Sequence, residues 1–271
     1  MNRIFQYYRP TLGHSWLIVA LTLAGGLAFG VFFQKVPQSV SYAVMMLIPI
    51  AFCWLMGSKA SALPEARAVP INRPNFGKLG GVAFFLLAAV AMLLLSVVVE
   101  PTTSLIPMPD MIRQVFEDAF INSKLWDMIV STCILAPLCE EFLCRGMMLR
   151  GMLGQMRPGR AIFWSALIFA VMHMNPWQSI PAFIIGLFFG WVYWKTHSLW
   201  VTIFMHCVNN SLATVTSRLL PDMPVDAGLK DLLPSGTYWA VYAACAVALV
   251  LILYLLHEKT VPPEIPSRVE A

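Results

Sequence analysis

Three short stretches set ionisable residues inside long apolar runs: "EEFLCR" at 140–145, "FAVMH" at 169–173 and "HCVNN" at 206–210. An ionisable side chain in an apolar run is costly and marks a functional candidate. Helical geometry sorts these groups, because residues four apart share a face while neighbours point about 100° apart. Glu141 and Arg145 can neutralise each other as a local ion pair. Glu140 points elsewhere and has no sequence-local partner, so one glutamate reads as structural and the other as free for chemistry. Phe169 and His173 share a face of their segment, and His206 and Asn210 share a face of theirs. Pro137 cannot donate to the Cys133 carbonyl, which predicts a kink one turn before Glu140.

A carboxylate and an imidazole at one water molecule form a general-base pair. A second imidazole and an amide across from them can hydrogen-bond a developing oxyanion. That is the inventory for hydrolysing an amide without a covalent intermediate. Two other chemistries use the same neighbourhood. A cysteine nucleophile is one, since Cys207 adjoins His206 and Cys144 is four from Glu140, while Ser211 lies on a different face from Asn210. A divalent metal such as zinc is the other, held by Glu140, His173 and His206 with a fourth position open to water. The HExxH spacing of zinc proteases is absent. The reading adopted is water activation without an obligatory ion.

These groups form a site only if they meet, so the elements that carry them come next. The chain has 271 residues, 59% of them hydrophobic and 12% charged, with a mean hydropathy of +0.72. Soluble domains carry roughly 25% charged residues, so this composition is that of an integral membrane protein in a single domain, 1–271. Apolar windows of spanning length fall at about 15–33, 39–57, 79–99, 125–152, 161–174, 177–195, 198–217 and 238–256. They predict eight transmembrane helices and an all-α fold, with the catalytic core at about 125–217. The first span reads as a retained signal anchor. Residues 108–120 place Met111, Ile112, Val115, Phe116 and Phe120 on one face, which predicts an amphipathic helix at the outer interface or an extension of the fourth span. Residues 260–271 read as a mobile tail.

The net charge of +4 does not point to nucleic acid: no basic stripe with interleaved aromatics and no phosphate-binding glycine loop is present. The basic residues lie in loops and set orientation. With both termini cytoplasmic, twelve of the eighteen Lys and Arg fall on inner segments and five (Lys35, Arg113, Lys124, Arg218 and Lys230) on outer ones, Arg145 lying within a span. The location expected is therefore a multi-pass membrane, the inner membrane if the source is bacterial. The six cysteines lie in apolar stretches and read as small buried hydrophobes. At 1.5 Å per residue, Glu140 lies roughly 15 Å, His173 roughly 18 Å and His206 roughly 12 Å from the inner ends of their helices. The three polar groups thus share one layer, nearer the cytoplasmic side.

The ordered triple resembles a known family. "EEFLCR" resembles the EExxxR motif of the CAAX prenyl protease and bacteriocin-processing (CPBP, or Abi) intramembrane proteases. "FAVMH" is similar to its FxxxH motif, and "HCVNN" to its His-x-x-x-Asn/Asp motif. The resemblance covers about 125–215. It implies eight helices around an intramembrane cavity open to the cytosol, with Glu140 and His173 activating water and His206 and Asn210 stabilising the oxyanion. Glu141, Arg145 and Phe169 would be supporting residues. The partners implied are the bilayer and a peptide or membrane-protein substrate, lipidated in the prenyl-processing branch. Two alternatives stand beside this one. The first is a non-catalytic bacteriocin-immunity or scaffold protein of the same fold. The second is a small transporter, which the clustering of charge in one layer disfavours.

Overall fold

A computed structural model describes residues 3–32, 36–104, 106–118, 123–220 and 222–263. Among the described residues the chain is all-α, with no strand. The principal helices are α1 (Leu12–Phe32), α2 (Gln38–Ser61), α3 (Gly81–Val99), α4 (Asp110–Glu117), α5 (125–153), α6 (Pro158–Val171), α7 (Pro176–Thr196), α8 (Leu199–Leu219), α9 (Leu229–Leu232) and α10 (Ser235–Lys259). Each of the eight apolar windows falls on a helix. Three stretches are long and apolar enough to cross a membrane by length and composition: Gln38–Ser61, Gly81–Thr103 and Ser235–Lys259. Leu12–Ala28 and Pro158–Val171 are apolar but shorter. Helices suit this composition because each satisfies its own backbone without water.

The starts of α7 and α8 follow from local chemistry. Asn175 caps α7 by accepting from the Gln178 N–H, and Ser198 caps α8 by accepting from the Val201 N–H. Such caps satisfy amides that the first helical turn leaves unpaired. Helix α7 lies close against α6 because Gly186 meets Ala166 and Gly190 meets Ile162, with no side chain to hold the backbones apart. The apolar interior has two parts. One joins α1, α2, α5 and α6 around Ile18, Cys53, Met147 and Phe169. The other joins α3, α7, α8 and α10 around Phe84, Met92, Phe189 and Met205.

The two ends of the bundle are built differently. One end gathers both terminal segments and is closed by donors to backbone carbonyls. Arg150 is buried and donates to the carbonyls of Phe5, Gln6, Tyr8, Val69 and Gly146. Tyr193 donates to the Ile71 carbonyl at 2.7 Å, and Lys195 to those of His257 and Thr260 at 3.2 and 3.1 Å. His197 lies here in a left-handed turn, φ 48°, with its ring stacked on Tyr193. Burial, with Arg73 and Arg150 nearby, pushes its imidazole down to about 4.

The opposite end carries α4, α9 and the starts of α2, α5, α7 and α10. There Arg113 pairs with Asp226 at 2.7 Å, Trp177 donates to the Ile106 carbonyl, and the Lys230 N–H donates to Glu100. Residues 110–117 form the amphipathic helix the pattern predicts, with Met111 and Val115 exposed. Residues 119–120 of that pattern, including Phe120, and residues 264–271 of the expected tail lie outside the described residues.

Candidate active site

The EExxxR segment sits in α5, which is not a regular helix. Residues Ile129–Leu135 and Phe142–Leu149 wind in wide π turns on either side of Ala136–Glu141. The Ala136 N–H donates to the Ser131 carbonyl five residues back. In that register the amide that would reach the Thr132 carbonyl is residue 137, a proline with no N–H. Asn210 takes this carbonyl instead, donating to it at 2.8 Å. Pro137 thus acts through a widened turn and a freed acceptor, a form the sequence pattern did not specify. Wide turns of this kind recur where a helix carries a functional side chain.

Glu141 and Arg145 form the predicted ion pair at 2.8 Å, both fully buried. The pair is part of a larger unit. The same Glu141 oxygen, Oε1, also faces His206 Nδ1 at 3.1 Å. Arg145 donates its other terminal nitrogen to the Gly186 carbonyl and lies over the rings of Phe169 and Phe189 at 4.6 and 5.3 Å. Phe169 in turn sets its ring edge-on to His206 and His173. A carboxylate can only accept, so His206 Nδ1 carries a proton towards Glu141 and Nε2 is the atom left for the cavity. For Nε2 to donate to an oxyanion the ring must carry a proton on that nitrogen as well.

Glu140 turns away from this unit and is half-buried. Tyr42 of α2 donates to Glu140 Oε1 at 2.8 Å. Sequence reasoning missed this residue, because Tyr42 lies in a span read only for its hydrophobicity. A phenol one turn into the apolar window was the available signal. Its position is fixed one turn earlier. The Gln38 and Ser39 N–H groups at the start of α2 both donate to the buried carboxylate of Asp127 on α5, at 2.8 and 2.9 Å, and the Ser39 hydroxyl donates to it as well. A carboxylate at a helix N-terminus satisfies unpaired amides and complements the helix dipole.

His173 does not lie on α6, which stops at Val171; it is presented by the tight turn into α7. Its Nδ1 faces the Phe169 carbonyl at 2.8 Å, so Nδ1 carries the proton and Nε2 keeps a lone pair. The turn is held by Asn175, which donates to the His173 carbonyl at 2.8 Å, and by Met174 in a left-handed conformation, φ 54°. Asn210 accepts from Asn209 at 3.1 Å and retains a second amide hydrogen beyond the one given to Thr132.

Glu140, His173, His206 and Asn210 all line one cavity of about 870 Å³, together with Tyr42 and Phe169. The convergence expected from depth is therefore present. Rim residues Glu100, Val115, Trp177 and Asp226 belong to the end opposite both terminal segments. In this fold, cytoplasmic termini and a cavity open to the cytosol exclude each other.

Among the described residues, no three His, Cys, Asp or Glu side chains are grouped to hold a metal ion. Glu140, His173 and His206, the ligand set the sequence offers, line this cavity from three separate elements. Cys144 is fully buried against Met172, and the cavity lining includes neither Cys144 nor Cys207.

Residues 122–212 match the family model of the Rce1-like type II CAAX prenyl endopeptidases. The matched segment begins near α5 and ends just past Asn210, so it contains all three motifs. No curated protein and no solved structure matches the chain.

Proposed function

We propose that the chain, whose residues 122–212 match the model of the CAAX-type prenyl endopeptidases, is a working endopeptidase with water as the nucleophile. The observation that carries this reading is the lining of one cavity by four polar side chains from three elements, each held by a protein partner from behind.

In the proposed reaction Glu140 and His173 Nε2 take a proton from a water molecule, whose oxygen bonds to the carbonyl carbon of the scissile peptide. The carbonyl oxygen becomes an oxyanion and accepts hydrogen bonds from His206 Nε2–H and the free Asn210 amide hydrogen. The intermediate collapses by breaking the C–N bond, and the proton held by the Glu140 and His173 pair passes to the leaving amine. Glu141 orients the His206 ring through Nδ1, Arg145 balances the Glu141 charge, and Phe169 packs the unit together. The substrate is a peptide or membrane-protein segment, with a lipidated one as the first candidate to try. Eight transmembrane helices with both termini cytoplasmic complete the proposal.

Purified protein in detergent, given a panel of lipidated and unlipidated peptides, tests this reading. Glu140→Gln keeps the shape and the Tyr42 contact while removing the base, and should slow cleavage by about 10²-fold or more. Equal cleavage by the variant and the wild type would sink the role of Glu140.

A further inference from the structure

The third motif carries two adjacent asparagines, and only Asn210 falls on the position four residues after His206. Neighbours on a helix point about 100° apart, yet Asn209 lines the same cavity as Asn210. Asn209 Nδ2 donates to Asn210 Oδ1 at 3.1 Å. On its other side Asn209 Oδ1 lies 3.4 Å from the hydroxyl of Ser96 on α3, whose one hydrogen is shared with the Met92 carbonyl at 3.0 Å. The Asn210 amide is therefore held at both ends: its nitrogen by the Thr132 carbonyl of α5, its oxygen by Asn209.

Two ties do what one cannot. The last torsion of an asparagine is broad and roughly two-fold, so an amide tied only at Nδ2 still swings about that tie. A second tie at Oδ1 fixes the plane of the group, and with it the direction of the remaining Nδ2 hydrogen. Donation into Oδ1 also polarises the amide and strengthens that hydrogen as a donor. The series Ser96, Asn209, Asn210 and Thr132 runs from α3 through α8 to α5, so three helices set the direction of one N–H.

We infer that Asn209 is a positioning residue, which acts through Asn210 by aiming its free amide hydrogen at the oxyanion. The consequence for rate rests on the endopeptidase reading, while the geometry does not. An oxyanion exists only once the carbonyl has been attacked, so loss of aim falls on kcat and spares KM.

Asn209→Leu keeps the branched shape and removes the donor, whereas Asn209→Ala removes both. Losing an oxyanion donor outright costs about 10²–10³ in kcat, and misaiming one should cost less. With a peptide that the wild type cleaves, both variants should lower kcat about tenfold and leave KM within about twofold. In an Asn210→Ala background nothing is left to aim, so adding Asn209→Leu should change kcat by less than about twofold. Full activity in Asn209→Leu, or the same tenfold fall in both backgrounds, overturns the inference.

A second measurement needs no substrate. In full-length protein carrying nitrogen-15 asparagine, the Asn210 side-chain signal is the one lost in Asn210→Ala. Its order parameter should fall in Asn209→Leu from the rigid range, about 0.85, to about 0.6. An unchanged value overturns the inference whether or not any peptide is cleaved. A lowered value beside a wild type that cleaves nothing supports the positioning and counts against the endopeptidase reading alone.

Discussion

Arg145 and Arg150 lie five residues apart on α5 and both are buried, at 0 and 1% exposure. Arg145 faces the site and is held by charge and aromatic faces: the Glu141 carboxylate, Phe169 and Phe189. Arg150 faces the closed end and is held by backbone carbonyls, four of them from residues 5–69. A buried cation needs its donors filled, and the two regions fill them by different means. At the site a single side-chain change can remove the partner. At the closed end the partners are main chain and are out of reach of substitution.

That difference sets the largest expected effect. Arg150→Leu leaves several buried carbonyls without a donor, each costing about 1–3 kcal/mol. Little folded monomer should survive size exclusion in detergent, and no second substitution should restore it. Arg145→Met strands the Glu141 charge and should cost about 3–5 kcal/mol, the range for breaking a buried pair. Adding Glu141→Gln removes the stranded charge and should return most of the thermal stability while cleavage stays about 10²-fold down. A double variant as unstable as Arg145→Met alone would show that Glu141 is not what Arg145 balances.

A smaller effect separates the two glutamates. Tyr42→Phe removes one hydrogen bond to a charged group and should cost about 1.5–3 kcal/mol at most. If the phenol positions the base, kcat falls about tenfold, equivalent to about 1.4 kcal/mol of barrier, while KM holds. An unchanged kcat would reduce Tyr42 to packing.

The smallest effect lies at the closed end and depends on pH. The His197 imidazole is pushed down to about 4 from its ordinary 6.5, so protonation favours the unfolded chain. The stability that neutral His197 contributes is complete above pH 6.5 and is lost as pH falls towards 4. The melting temperature should drop across that window. His197→Asn, which tolerates the left-handed turn, should flatten the drop.

What the sequence made legible follows the range of each interaction. The Glu141–Arg145 pair is local, and its i,i+4 spacing announces it. The helical windows are local too, because apolar length alone defines them. His206 reaching the same Glu141 oxygen spans 65 residues, and no spacing rule encodes a meeting between two helices at that separation. Counting depth along each helix placed the polar groups in one layer, but it could not say which end of the bundle opens. That depends on how α4 and the loop after α8 fold over the mouth. Pro137 was visible as a disturbance, whereas its widened turn and the pairing of Thr132 with Asn210 require the partner helix to be in place.

The phenol that touches Glu140 bears on how chains of this kind are sorted by descent. A comparison tuned to the three motifs inspects residues 122–212 and never reaches position 42. Two chains with the same motifs can therefore differ in whether their leading glutamate is anchored. The residue one turn into the second helix is a character to score before a relative is classed as a working enzyme or as a silent copy.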